Sequence, residues 1–224
     1  MNLAMPLATG GLFYAFGVST IAGKAVMLLL FLTSIVAWSV MFTKFRQVRL
    51  AERHGRDFLK ALRSGDRFVE IYKKGTLWKD CPLFDLYLAG CHGIEGSTGV
   101  KDELKVQLLE ASLERAVAEQ VVRLESQVSI LGTAVSASPF LGLLGTVWGV
   151  MDAFSAVALS GAATIGALAP GIAAALITTV IGLVVALPSM VGYNILVANI
   201  RRLTMEMENF ASEFISIARK EIAG

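Results

Sequence analysis

The chain has 224 residues, of which 55% are hydrophobic and 17% charged, and its mean hydropathy is +0.65; this excludes an ordinary soluble globular domain. A formal net charge of +2 is too small for a nucleic-acid binder. The cysteines, Cys81 and Cys91, lack the paired knuckles of a zinc site, so no metal and no cofactor is expected and both are read as reduced thiols.

Residues 1–19 carry no charge and mix glycines with Phe13, Tyr14 and Phe16, which predicts a segment retained in the mature chain, either a short helix in the outer interface or a frayed terminus. A first span follows over residues 20–43. It is interrupted only by Lys24, whose amine can snorkel from near the start of the helix. Lys44, Arg46, Arg49, Arg53 and Arg56 come directly after it. Under the positive-inside rule this flank stays in the cytoplasm and the N-terminus lies outside.

Residues 44–131 read as a cytoplasmic helical domain, with helix-forming composition and breaks at Gly65, Gly75 and Gly96–Gly99. Helices are expected near Lys44–Arg63, Asp66–Lys73 and Pro82–Gly93. A longer helix is expected to start near Val100 and run directly into the second span. Its predicted apolar stripe is Leu104, Leu108, Ala111, Val117, Val121, Leu124, Val128 and Leu131.

Between Glu125 and Arg201 the only charged residue is Asp152. That run is long enough for two spans, 132–159 and 168–197, joined by a short turn at 160–167 that carries no Lys or Arg. A cytoplasmic helix, 198–224, completes the chain. Its stripe Leu196, Ile200, Leu203, Met207, Phe210, Phe214, Ile217 is a heptad seam, expected to pair with the Val100–Leu131 helix or with a neighbouring copy. The fold class is therefore an all-α membrane protein with three transmembrane helices, N-out and C-in, whose long helices extend into a cytoplasmic bundle.

Inside the hairpin, small residues recur at helical spacing: Gly142, Gly145, Gly149 and Ala153, then Gly171, Ala175, Thr178, Gly182 and Ala186. Membrane helices associate through close packing, which such rows permit. Thr146 and Thr179 lie on or beside these rows, and antiparallel arms place both hydroxyls near mid-membrane. Pro139 and Pro188 each remove a backbone donor, and Ser136 stands near Pro139 to help satisfy the freed carbonyl. Trp148 is read as a packing residue within a small-residue face. Asp152 is either an outer-mouth proton or cation attractor or a snorkelling or interhelical hydrogen-bonded group. The chain has no nucleophile elbow, no zincin motif and no Walker lysine, so it is not read as an enzyme.

The block SPFLGLLGTVWGVMDAF followed by LAPGIAAALITTVIGLVVALPSMVGYN resembles the TolQ/ExbB branch of the MotA/TolQ/ExbB proton-channel family. The likeness rests on an ordered set of Gly, Pro, Thr and Trp positions, including Pro139, Gly142, Gly145, Trp148, Gly149, Pro170, Gly182 and Pro188. The short N-terminal segment leans toward the TolQ side of that branch. The resemblance implies a homopentamer in the bacterial inner membrane around two copies of a single-span TolR/ExbD-type partner, whose aspartate carries the proton. It also implies a TolA/TonB-type protein as the load, with lipid around the ring. Thr146 and Thr179 match the pore-facing threonines. Where the family commonly has a glutamate, this chain has Ala174, which moves proton handling further toward the partner. An ExbB role in TonB-dependent import and a passive scaffold without ion flux remain open, as does sodium in place of protons.

Overall fold

The structure, a computed structural model, describes residues 17, 19–64, 78, 80–96, 101–160 and 164–223. Five helices follow one another: α1 Ile21–Ser64, α2 Pro82–Glu95, α3 Asp102–Glu125, α4 Val128–Ser160 and α5 Ile165–Ala223. No strand occurs among the described residues. Three stretches, Ile21–Arg63, Asp102–Leu159 and Leu168–Lys220, are long and apolar enough to cross a membrane. The protein is thus an all-helical membrane protein with three spans. The expected helix at Asp66–Lys73 and nearly all of the N-terminal segment lie outside the described residues.

The chain forms two compact units. The first comprises Met1–Met41 and Ser129–Tyr193, the second Phe42–Val128 and Asn194–Gly224. In the first unit the apolar parts of α1, α4 and α5 pack through small residues and leave large side chains such as Phe31, Trp38, Phe140, Phe154 and Val184 exposed. Lipid is as apolar as these side chains, so close backbone approach, not burial of bulk, selects the contact face. Gly192 lies directly beneath the Met41 sulfur, and Gly132 faces the ring of Tyr193.

The second unit is built in the opposite way, around aromatic rings. Phe58 of α1 sits at the centre, its centroid 5.7 Å from those of Phe84 and Tyr87, 6.0 Å from Phe210 and 6.1 Å from Trp78. Edge-on contacts of this kind suit the ring quadrupole. Phe214 completes the cluster against Tyr87 and lies over Gly90, where an added Cβ would come within 2.8 Å of its ring. Full burial of each such ring stabilises the unit by roughly 1.5–3 kcal/mol.

The α5 stripe is buried from Leu196 to Phe214, and its rings meet α1 and α2. The α3 helix runs beside α5, the two lining one groove through Leu113, Val117, Val121, Thr204, Glu208 and Ala211. One expectation about α3 is corrected. On α3 the buried positions are Leu109, Leu113 and Leu124, whereas Leu104 and Leu108 are about half exposed, at 47% and 46%. The face is rotated because α2 lies against it, with Gly93 close to Leu109 and Ser112.

A second correction concerns the join into the second span. Instead of one continuous helix, α3 stops at Glu125 and α4 restarts at Val128, with Gln127 in the left-handed region at φ 66°. Lys44 explains how the break is tolerated. Its side chain is 2% exposed, and its Nζ donates toward the carbonyl oxygens of Arg123 and Leu124, both at 3.2 Å, and toward Ser126 Oγ and Gln47 Oε1, both at 3.0 Å. An ammonium at a helix C-terminus satisfies carbonyls that have no intrahelical partner and complements the dipole. The first charge of the basic flank is therefore spent internally. Lys44→Met should lower stability by about 1–3 kcal/mol, the cost of stranding the buried Leu124 carbonyl, since that of Arg123 keeps the Ser126 hydroxyl; it would be read as a fall in the thermal midpoint in detergent.

The thiols of Cys81 and Cys91 are both free. Burial pushes the Cys81 thiol up to about 11 and raises that of Cys91 as well, so neither forms much thiolate at neutral pH.

Candidate functional site

The site begins with glycines. An added Cβ on Gly182 would come within 2.6 Å of the Ser138 carbonyl oxygen, and one on Gly142 within 2.9 Å of both the Thr178 carbonyl and the Thr179 Cα. At Gly145 it would meet Thr178 Oγ1 at 2.6 Å, at Gly149 the Ala175 methyl at 2.8 Å, and at Gly171 the Ala153 methyl at 2.9 Å. The small-residue rows read from spacing are thus the contact seam of α4 and α5. The seam brings the two backbones close enough for side-chain hydroxyls of one helix to reach carbonyls of the other.

Thr146, Thr178 and Thr179 meet in that seam. Thr146 Oγ1 lies 3.1 Å from the Gly142 carbonyl one turn back, 3.2 Å from the Ala175 carbonyl across the seam and 3.4 Å from Thr178 Oγ1, and it also pairs with Thr179 Oγ1. Thr178 Oγ1 reaches the Ala175 carbonyl at 2.6 Å and the Gly142 carbonyl at 3.0 Å, and Thr179 Oγ1 reaches the same Gly142 carbonyl at 3.1 Å. Each hydroxyl has one proton to give, so the pairings within reach outnumber the protons available. Several arrangements of the three protons are therefore open to them, and the hydroxyls form a continuous row, Thr178 to Thr146 to Thr179. Such a row can pass a proton along or present several neutral oxygens to a small cation.

Simple back-bonding to the preceding turn accounts for part of Thr146 but not for Thr179, whose hydroxyl crosses to α4. The sequence marks Thr178 only as a small residue in a packing row. Its side chain is 1% exposed and belongs to the hydroxyl cluster. The signal was its position in the row with Gly171, Ala175 and Gly182, which aims a polar group into the seam, where it must find partners.

The remaining candidates are placed as follows. Pro139 lies inside α4, and Pro170 and Pro188 inside α5. Ser136 does not serve the carbonyl that Pro139 frees, that of Val135; its hydroxyl bonds the Gly132 and Thr133 carbonyls at 3.1 and 3.2 Å. Ser138 Oγ is buried without a partner among the described residues. Trp148 is 45% exposed, outside the glycine seam. Asp152 and Pro170 line a cleft that also includes Thr178. Ala174 lines the same cleft and is 4% exposed. No cluster of three or more potential metal ligands occurs among the described residues.

Long apolar helices, two of them joined along a glycine seam that carries a row of hydroxyls, define a helical membrane protein. Residues 88–209 match the MotA/TolQ/ExbB proton channel family, and the chain belongs to that family. It is 30% identical to the Tol-Pal system protein TolQ of Haemophilus influenzae over 212 residues, 92% of each chain. It is also 30% identical to the TolQ of Pseudomonas aeruginosa, over 91% of this chain and 90% of that one. To the biopolymer transport protein ExbB of Salmonella typhimurium it is 31% identical over 89% of this chain and 82% of that one.

Proposed function

We propose that this chain is the pore-forming subunit of a proton-motive-force-driven motor in the bacterial inner membrane. It acts without catalysing a covalent reaction. Five copies surround two helices of a TolR/ExbD-type partner, and the Thr146 and Thr179 hydroxyls exchange protons with that partner's aspartate. The observation that carries this reading is the hydroxyl row at the α4–α5 seam of a member of a proton channel family. Transfer of one charge across 100 mV releases about 2.3 kcal/mol, so a few protons suffice to move a packed helix from one arrangement to the next. The chain runs N-out and C-in, in accord with Arg46, Arg49, Arg53, Arg56, Arg201 and Arg202 flanking the spans on one side.

The load is of the TolQ type, a TolA-like envelope protein, supported by alignment over nine-tenths of both chains with two TolQ relatives. The ExbB type, energising a TonB-like protein, is the second reading, favoured by the equal identity to the Salmonella protein. Liposomes holding this chain and a TolR/ExbD-type partner, with an internal pH dye and an imposed potential, test the first half of the proposal. Acidification is expected only when both proteins are present. A stable complex that passes no protons would contradict it.

A further inference from the structure

The cleft beside the hydroxyl row has a volume of about 230 Å³. Its wall is small or hydroxylated, with Ser19, Thr20, Gly145, Gly149, Ala174 and Thr178 among the lining residues. Among the described residues, Asp152 is its carboxylate and no Lys, Arg or His lines it. The Asp152 carboxylate makes no hydrogen bond or ion pair with any described residue. A carboxylate in an otherwise apolar helix requires water or a cation beside it. At roughly 30 Å³ per water the cleft holds several. Thr178 belongs to both features: it lines the cleft, and its Oγ1 stands 3.4 Å from Thr146 Oγ1.

We infer that the cleft is a hydrated cation intake contained within a single copy of the chain, in which Asp152 draws a hydrated proton and Thr178 passes it to the Thr146 and Thr179 hydroxyls. What lies downstream of Thr179 rests on the motor reading above. Hydronium gives its proton to the Asp152 carboxylate and leaves as water. The carboxyl returns to its anion as that proton moves onto cleft water. Thr178 Oγ1 then accepts a proton from that protonated water, which is left neutral, while its own proton passes to Thr146, that of Thr146 to Thr179 and that of Thr179 to the partner's carboxylate, which it neutralises. Only O–H bonds form and break.

The test uses the complex in liposomes and Ala174→Cys, a position lining the cleft, with Ala156→Cys, an exposed lining residue, as the alternative if the first fails to fold. Labelling at the introduced thiol, located by mass spectrometry, is timed with a trimethylammonium methanethiosulfonate and with a neutral reagent of similar size. Both reagents should react, and adding Asp152→Asn should slow only the cationic one, by about tenfold. In the chain without added cysteine, Asp152→Asn should cut proton flux by about tenfold, and Asp152→Glu should restore it. A thiol inert to both reagents, or equal slowing of both, overturns the intake. Selective slowing with unchanged flux overturns its place on the proton route. A wild-type complex without flux sinks the motor reading instead, and the labelling still judges the cleft.

Discussion

Thr179→Val is expected to abolish proton-driven work, cutting flux at least about a hundredfold, equivalent to about 2.7 kcal/mol on the transfer barrier, while the assembled complex survives. Valine keeps the shape and removes the hydroxyl. The row then ends at Thr146, whose Oγ1 loses its Thr179 neighbour but keeps the Gly142 and Ala175 carbonyls. Folding should change little, since Thr179 donates to a carbonyl that also has Thr146 and Thr178 within reach, so the cost is about 1 kcal/mol or less. Flux and thermal midpoint measured on the same preparation separate the two effects. Full activity in this variant would reduce the hydroxyls to packing groups and favour the passive scaffold.

Gly182→Leu should have the largest structural effect. Even a methyl there would lie 2.6 Å from the Ser138 carbonyl oxygen, which belongs to a helix backbone and cannot swing aside. The two helices must separate, and with them Thr146 on one side and Thr178 and Thr179 on the other. Loss of more than about 4 kcal/mol is expected, by the mechanism of gross overpacking, seen as failure to accumulate in the membrane or as a collapsed melting transition. Gly166→Ala is the matched control, since an added Cβ there meets nothing within 4 Å and should leave both stability and flux unchanged.

The seam was legible in the sequence because a single helical period fixes which glycines share a face, and because only small residues allow helices to associate closely in lipid. Thr146 and Thr179 stand on or beside these rows, and the resemblance singles them out. Thr178 stands in the row itself, yet spacing shows only that it faces the seam, and the bonds its hydroxyl makes there depend on how closely α4 approaches. The aromatic cluster joins residues 58, 84, 87, 210 and 214. Their meeting depends on where α2 docks, which no local periodicity encodes. The same docking rotated the buried face of α3 to Leu109 and Leu113. Lys44 was read as surface charge because its neighbours Arg46 and Arg49 have that character, whereas its bonds reach some eighty residues along the chain to the end of α3.

A density map of the complex purified with its single-span partner tests the central claim most directly. The ring-and-partner mechanism predicts five copies of this chain around two foreign helices, with Thr146 and Thr179 bordering the space those helices fill. A monomer in native lipid, or a ring whose centre is closed by its own large side chains, would contradict it.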